Sequence, residues 1–268
     1  METIPHQGQD DGEVAVSLRG VTKVYDTGVT ALGPIDLDVR RGEFVSLLGP
    51  SGCGKSTALR IVAGLMTQTS GEVRVDAPGG SNPASQPIGF VFQEPTLMPW
   101  ASVRDNVGLP LRLANLSRDE AISKADQVLS QVDLAEFADA YPRELSGGMK
   151  MRVSLARALV TDPGILLMDE PFAALDEITR FRLNNDLLDL WRKLRKTVIF
   201  VTHSVFESVY LSERVVVMTP RPGRTSAEFR IEAPSSRDED FRTSAGYAAQ
   251  CRDVSAALAK TSGERPVR

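Results

Sequence analysis

A glycine-rich stretch between an apolar run and a helical pattern constrains this chain most strongly. The run Phe44-Val45-Ser46-Leu47-Leu48 is typical of a buried strand, and residues 58–63 have the pattern of a helix. The spacing G-x-x-x-x-G-K-[ST] between them is that of a phosphate-binding loop. A turn that only links strand to helix is the alternative, which the complete strand–motif–helix context disfavours. The sequence therefore predicts a nucleoside triphosphate site at Gly49-Pro50-Ser51-Gly52-Cys53-Gly54-Lys55-Ser56-Thr57.

The residue types of this loop suit a triphosphate. Its glycines let backbone N–H groups turn inward, and the N-terminus of the following helix adds positive partial charge. We expect Lys55 to contact the outer phosphates and the Ser56 hydroxyl to bind Mg²⁺. Cys53 lies at a predicted helix N-terminus, a position that can lower a thiol pKa. We therefore expect Cys53 either to be redox-sensitive or to be a small packing residue.

Strand patterns alternate with helical periodicity along most of the chain, which predicts an α/β fold with a mainly parallel sheet. The predicted architecture is a P-loop NTPase core. Helical periodicity from Thr96 onward predicts an inserted helical subdomain, residues 77–87 read as a surface loop, and residues 215–218 as the last strong strand. The predicted division is a flexible tail at 1–12, a nucleotide-binding domain at 13–230 with the helical insert at about 96–160, and a weakly helical C-terminal tail at 231–268.

Polar side chains stand where several predicted strands end. Gln93, Asp169, Glu170 and His203 each follow or close an apolar run. The carboxyl ends of parallel strands meet at one edge of the sheet, where ligands bind. Asp169 is placed to serve a nucleotide-bound Mg²⁺ and Glu170 to deprotonate a water, and strand alternation predicts that the two face opposite sides. Taken singly, without the phosphate loop, these residues would more commonly be a polar cap, solvated strand-end charges and a structural histidine.

Two weaker signals lie elsewhere in the chain. Ser146-Gly147-Gly148 precedes a helical pattern, so its N–H groups and hydroxyl can hold an anion, although ordinary helix caps look alike. Tyr25 lies in a turn-rich stretch, where its ring either packs or stacks on a flat base.

Charge and composition restrict the class of partner. The net charge of −4 and pI of about 5.4 provide no basic field for nucleic acid. Two cysteines do not make a disulfide framework, which favours a reducing compartment. The N-terminal residues lack the pattern of a signal peptide, and no apolar run approaches the ~20 residues that span a bilayer. We therefore expect any membrane-spanning part to belong to another chain.

Together these motifs resemble the ATP-binding subunit of an ABC transporter over about residues 14–224. The phosphate loop is similar to Walker A, and residues 165–170 to Walker B. Residues 145–149 resemble the family signature, with Met149 in place of the commoner Gln, and Ser204 stands where many relatives carry Asp. In the same comparison Gln93 matches the Q-loop, Asp176 the D-loop, His203 the switch histidine and Tyr25 the adenine-stacking aromatic.

The resemblance implies a P-loop core with a small antiparallel β subdomain and an inserted helical one. It also implies a homodimer that forms on ATP binding, in which the signature of one subunit closes over the γ-phosphate held by the other. ATP and Mg²⁺ are the implied cofactors. The implied roles are catalysis by Glu170 and His203, metal binding by Ser56, Gln93 and Asp169, and nucleotide binding by Tyr25, residues 49–57, Gln93, Ser146, Gly147, Gly148 and Asp176.

Residues around Gln93–Trp100, Met149 and Arg221–Arg224 further resemble importers of the nitrate/sulfonate/taurine group. This implies uptake of nitrate, a sulfonate, taurine, bicarbonate or a pyrimidine-type precursor through separate membrane permease subunits, served by a solute-binding protein. The chain would then lie at the cytoplasmic face of the inner membrane, attached through the permease. One alternative is a soluble ABC ATPase acting on nucleic acid or ribosomes, which the short insert between Gln93 and Ser146 disfavours. Another is a small-molecule kinase, which would lack the signature and the strand-end histidine.

Overall fold

The computed structural model describes residues 12–76, 87–234 and 237–262. The predicted loop at 77–87, apart from its last residue, and the predicted tail at 1–12, apart from Gly12, lie outside them. The strands are β1 (Val14–Val24), β2 (Thr30–Arg40), β3 (Phe44–Leu48), β4 (Ser70–Val75), β5 (Ile88–Val91), β6 (Ile165–Asp169), β7 (Thr197–Thr202), β8 (Arg214–Met218) and β9 (Thr225–Arg230). The α-helices are α1 (Lys55–Val62), α2 (Val103–Leu113), α3 (Arg118–Gln131), α4 (Gly147–Leu159), α5 (Glu177–Leu194), α6 (Val205–Leu211), α7 (Glu239–Thr243) and α8 (Ala245–Ser262).

Two sheets form the framework of the described chain. The larger sheet has the order β5-β6-β7-β3-β8-β9, in which all neighbours are parallel except the β8–β9 pair. Every residue of β3, β6 and β7 is buried, as expected for parallel strands covered on both faces. The smaller sheet, β2-β1-β4, is antiparallel. The predicted α/β class with a mainly parallel sheet and a small antiparallel one is confirmed.

Strand β9 was not predicted from the sequence. It is an edge strand with alternating half-buried and exposed residues and a polar composition, so it lacks the apolar run that marks the central strands. The turn before it, at Arg221–Arg224, packs against the phosphate loop. A Cβ at Gly223 would lie 2.0 Å from the Cys53 carbonyl oxygen, so only glycine fits there.

Helices α2, α3 and α4 pack together in the segment where a helical insert was predicted. Ser102 caps α2, and a reciprocal capping box between Ser117 and Glu120 begins α3. Their apolar faces are buried as the periodicity indicated, except that Leu113 is 73% exposed. The buried apolar positions of α2 and α3 are Val103, Val107, Leu111, Ala121, Ala125 and Leu129.

The C-terminal helices α7 and α8 pack onto the parallel-sheet core. Phe241, Tyr247, Cys251 and Val254 belong to the same apolar cluster as α6 and β8. The Tyr247 hydroxyl donates to the Phe206 carbonyl at the start of α6, at 3.0 Å. Within the described ranges, no helix is both long and apolar enough to span a bilayer.

Candidate nucleotide site

The phosphate-binding loop follows β3 and leads into α1, as predicted. Gly54 has φ +105°, and a Cβ there would lie 2.7 Å from the Ala31 carbonyl oxygen. A Cβ at Gly49 would lie 2.9 Å from the Cys53 sulfur. Both glycines are therefore required by close approach, and Gly54 by its left-handed backbone as well. Because Gly54 has no side chain to cap α1, the N–H groups of the first helical turn are left for a ligand.

Lys55 supplies the positive charge of this loop. Its side chain is 3% exposed, and its ammonium donates to the Gly49 and Pro50 carbonyls at 2.7 and 3.1 Å. A Glu170 carboxylate oxygen lies 3.8 Å away. A buried ammonium whose close partners are mainly neutral carbonyls fits an anionic ligand, since burial of a charge is costly unless it is paired.

Ser56 and Asp169 form an oxygen pair beside this lysine. The Ser56 hydroxyl donates to Asp169 at 2.7 Å, and burial raises the pKa of the Asp169 carboxyl. Hydroxyl and carboxylate oxygens are the donors that Mg²⁺ prefers. No cluster of three or more His, Cys, Asp or Glu suited to a metal occurs in the part of the chain that is described. The pair therefore fits an ion that takes its other ligands from phosphate and water, as Mg²⁺ commonly does.

Glu170 and His203 meet at the same edge of the sheet. One Glu170 oxygen lies 3.3 Å from the His203 Nδ1, while the other faces Lys55. We expected strand alternation to direct Asp169 and Glu170 to opposite sides, but the alternation of a strand does not extend to Glu170. Strand β6 ends at Asp169, and Glu170 has a left-handed φ of +47°, with its N–H donated to the Val201 carbonyl at 3.0 Å. This turn, and not the strand pleat, directs Glu170 toward the histidine.

Tyr25 and Gln93 lie at the margins of the site. The half-buried Tyr25 contacts α1 through its hydroxyl, 3.2 Å from the Thr57 hydroxyl. Gln93 is exposed and follows β5, in which Val91 pairs with Met168 on β6. This register places Gln93 just beyond the level of Asp169.

Burial decides between the two alternatives left open for Cys53. The residue is 1% exposed, and burial raises the pKa of its thiol despite the nearby Lys55. The loss of hydration outweighs the helix N-terminus because the sulfur lies under the loop. Cys53 is a small packing residue in this structure.

The second predicted cradle lies against Leu175, just before α5, and Thr179, in the first turn of α5. Ser146 caps α4 and accepts the Met149 N–H at 3.3 Å, while Ser146 and Gly147 are exposed. A Cβ at Gly147 would lie 3.3 Å from the Leu175 side chain, and one at Gly148 would lie 2.7 Å from the Thr179 methyl. Among the described residues, no hydrogen bond or ion pair joins 146–148 to 49–57. Within one chain the two cradles are therefore separate.

Asp176 caps α5 beside the second cradle. Its carboxylate accepts the Thr179 N–H at 2.9 Å, and this hydrogen bond lowers the pKa of Asp176. Three further side chains were not nominated as site residues from the sequence: Arg221, which contacts the phosphate loop, and Arg180 and Glu207, on α5 and α6. The Arg221 guanidinium donates to the Gly52 carbonyl at 3.2 Å, and Arg180 faces Glu207 across the α5–α6 contact. For Arg180 and Glu207 the sequence offered only a spacing. Arg180 lies four positions after Asp176, and Glu207 lies four positions after His203.

The sequence profile described as ABC transporter matches residues 32–173, which is more than half of the chain. The chain belongs to the ABC transporter family. It is 48% identical to an uncharacterised ABC transporter ATP-binding protein of Methanocaldococcus jannaschii, across 86% of this chain and 87% of that protein. The resemblance found in the motifs is thereby confirmed, and this ABC family member is an ATPase.

Relatives with more specific names are almost as similar. A taurine import ATP-binding protein of Rhizobium johnstonii is 46% identical, and a nitrate import ATP-binding protein of Synechocystis is 45% identical. Each alignment covers 78% of this chain and 79% of the relative. A dimeric structure of a bacterial ABC transporter cassette superposes with a TM-score of 0.70 at 35% identity, over 82% of this chain and all of that one.

Proposed function

We propose that this chain is the ATP-hydrolysing subunit of an importer for a small solute, acting as a homodimer on membrane permease subunits. The observation that carries the proposal is the separation of two phosphate cradles within one chain, with Glu170 and His203 at only the first. A second copy can bring its Ser146–Gly148 cradle to the nucleotide held at residues 49–57. The dimeric cassette structure and the importer names of the relatives support this arrangement.

In this proposal the residues of one subunit hold the triphosphate. Lys55 and the N–H groups of the loop bind its phosphates, and the Tyr25 ring stacks on the base. Ser56, Gln93 and Asp169 would hold Mg²⁺, which would neutralise phosphate charge during transfer. Glu170, held between Lys55 and His203, accepts a proton from the attacking water. His203 contacts the γ-phosphate, and Asp176 lies next to the cradle that the partner copy receives.

ATP binding would close the dimer, because the nucleotide joins the first cradle of one copy to the second cradle of the other. Hydrolysis removes the terminal phosphate, so the dimer reopens. The permease would use this motion to pass the solute, which a separate solute-binding protein delivers. The proposed solute is nitrate, a sulfonate, taurine, bicarbonate or a pyrimidine-type precursor. The proposed location of the chain is the cytoplasmic face of the inner membrane.

Glu170→Gln tests the catalytic assignment. We expect it to bind ATP, to lose about 10²- to 10⁴-fold in hydrolysis, and to accumulate as an ATP-bound dimer in size-exclusion chromatography. Glu94→Gln, at an exposed carboxylate beyond β5, is the matched control and should keep both activity and the monomer–dimer balance. Full activity in Glu170→Gln would remove Glu170 as the base.

Affinity purification from the native cell tests the transport assignment. We expect an integral membrane protein to copurify, and its reconstitution with the chain in vesicles to couple ATP hydrolysis to solute uptake. Recovery of ribosomes or DNA in its place would favour the soluble ABC ATPase. A phosphorylated product without release of phosphate would indicate a kinase.

A further inference from the structure

We propose that Arg180 and Glu207 are positioning residues that link the backbone before Asp176 to the end of the strand that carries His203. The inference rests on the roles proposed above for Asp176 and His203. Neither Arg180 nor Glu207 would touch the nucleotide, and both would act through the residues that do.

The link begins in α5. The Arg180 guanidinium donates through Nη2 to the Leu175 carbonyl at 2.9 Å, directly before Asp176. The Leu175 side chain in turn lies close to Gly147, since a Cβ added to Gly147 would be 3.3 Å from it. The backbone that Arg180 holds is therefore part of the surface on which the Ser146–Gly148 cradle rests.

The link continues into α6. The Arg180 Nε lies 3.7 Å from Glu207 Oε1, which is an ion pair and not a hydrogen bond. Neither of these two atoms has a hydrogen-bond partner, and both are inaccessible to solvent. These two buried atoms therefore compensate each other, while the rest of the Arg180 side chain is partly exposed, so breaking the pair would chiefly affect the buried Glu207 carboxylate.

The link ends beside His203. The other Glu207 oxygen accepts the Thr202 hydroxyl at 2.6 Å, and that hydroxyl accepts the Ser204 N–H at 3.0 Å. Thr202 and Ser204 flank His203, whose imidazole faces Glu170 at 3.3 Å. The buried carboxylate thus holds the Thr202 side chain, which in turn holds the Ser204 N–H on the other side of the histidine.

Glu207→Gln keeps the volume of the side chain and an acceptor for Thr202, but removes the charge that faces Arg180. We expect a fall in kcat of about ten- to a hundredfold with the KM for ATP within about twofold, because the displaced group acts in the transition state. Arg180→Gln should produce a similar loss. The double variant should be no worse than either single one, since both changes break the same link.

His203 itself offers a direct readout. The chain contains two histidines, so in a His6→Gln background the imidazole signals in NMR belong to His203 alone. We expect Glu207→Gln to change the chemical shifts of the His203 imidazole. Arg182→Gln, at an exposed arginine on the same helix, is the control and should change neither activity nor this signal.

Unchanged kcat and an unchanged His203 signal in folded Glu207→Gln would overturn the inference, as would additive losses in the double variant. If Glu207→Gln does not fold, Arg180→Lys provides the second test. It keeps the charge but cannot reach both Leu175 and Glu207, so it should fold and still lose kcat. Glu170→Gln is measured in parallel. Full activity there would refute the proposed catalytic site, whereas an inactive Glu170→Gln with normal Arg180 and Glu207 variants would refute only this link.

Discussion

Gly148→Ala is the substitution for which the structure allows the sharpest prediction. The new Cβ would lie 2.7 Å from the Thr179 methyl group, whereas carbon atoms in contact prefer about 3.5–4.0 Å. The start of α4 must therefore move away from α5 by up to about 1 Å. Overpacking of this kind costs about 1–3 kcal/mol, and the better helix propensity of alanine returns about 1 kcal/mol. The net loss in the free energy of unfolding should be about 0–2 kcal/mol.

The functional loss should be larger than the loss of stability. A displacement of about 1 Å in a reacting constellation can cost about a hundredfold in rate, and here it falls on the cradle that the partner copy must receive. We therefore expect ATPase activity to fall about ten- to a hundredfold. ATP binding to the monomer should not change, because residues 49–57 lie elsewhere. Steady-state phosphate release and equilibrium nucleotide binding measure the two effects.

Removal of the opposing methyl group provides the matched rescue. Thr179→Ser deletes that methyl but keeps the backbone N–H that Asp176 accepts. The double variant Gly148→Ala/Thr179→Ser should recover most of the activity. Gly147→Ala, whose Cβ would lie 3.3 Å from a Leu175 methyl group, should be milder. Normal activity in Gly148→Ala, or no recovery in the double variant, would show that the contact with Thr179 does not set the position of the cradle.

Three further predictions concern single sites. Ser146→Arg should abolish hydrolysis while the monomer still binds ATP, and loss of binding by the monomer would contradict the two-cradle arrangement. Cys53 should react with a thiol reagent much more slowly than a free cysteine at neutral pH, because burial raises its pKa; rapid labelling of the folded chain would contradict its packing role. Burial also raises the pKa of Glu207 above 4.5, so the folded chain takes up this proton at higher pH than the unfolded chain. Lowering the pH through the range in which carboxylates take up protons should therefore stabilise the native protein relative to Glu207→Gln in urea unfolding, and parallel curves would contradict this.

Local spacing made much of the site predictable. The phosphate loop needs only consecutive residues, because its glycines, lysine and serine act through local backbone geometry. The apolar runs at β3, β6 and β7 indicated buried strands for the same reason, since both faces of each strand are covered. Ser146 was placed at the start of a helix, where the structure has it as the cap of α4.

Features that depend on distant contacts were not predictable in this way. Strand β9 carries a polar edge pattern, and α8 lacks a marked apolar stripe, although Tyr247, Cys251 and Val254 are buried by their neighbours. The effect of the helix N-terminus on Cys53 was outweighed by burial, which no local pattern reveals.

The sequence by itself determined that this chain binds a triphosphate, has a mainly parallel α/β core and belongs among ABC ATPases. Those properties are written in short motifs and in runs of apolar residues. Only the tertiary structure decided which side chains meet. Ser56 and Asp169 are 113 positions apart, and their contact exists because parallel strands end at one edge of the sheet. The turn that aims Glu170 at His203, and the ion pair that joins α5 to α6, likewise depend on packing between elements that are remote in the chain.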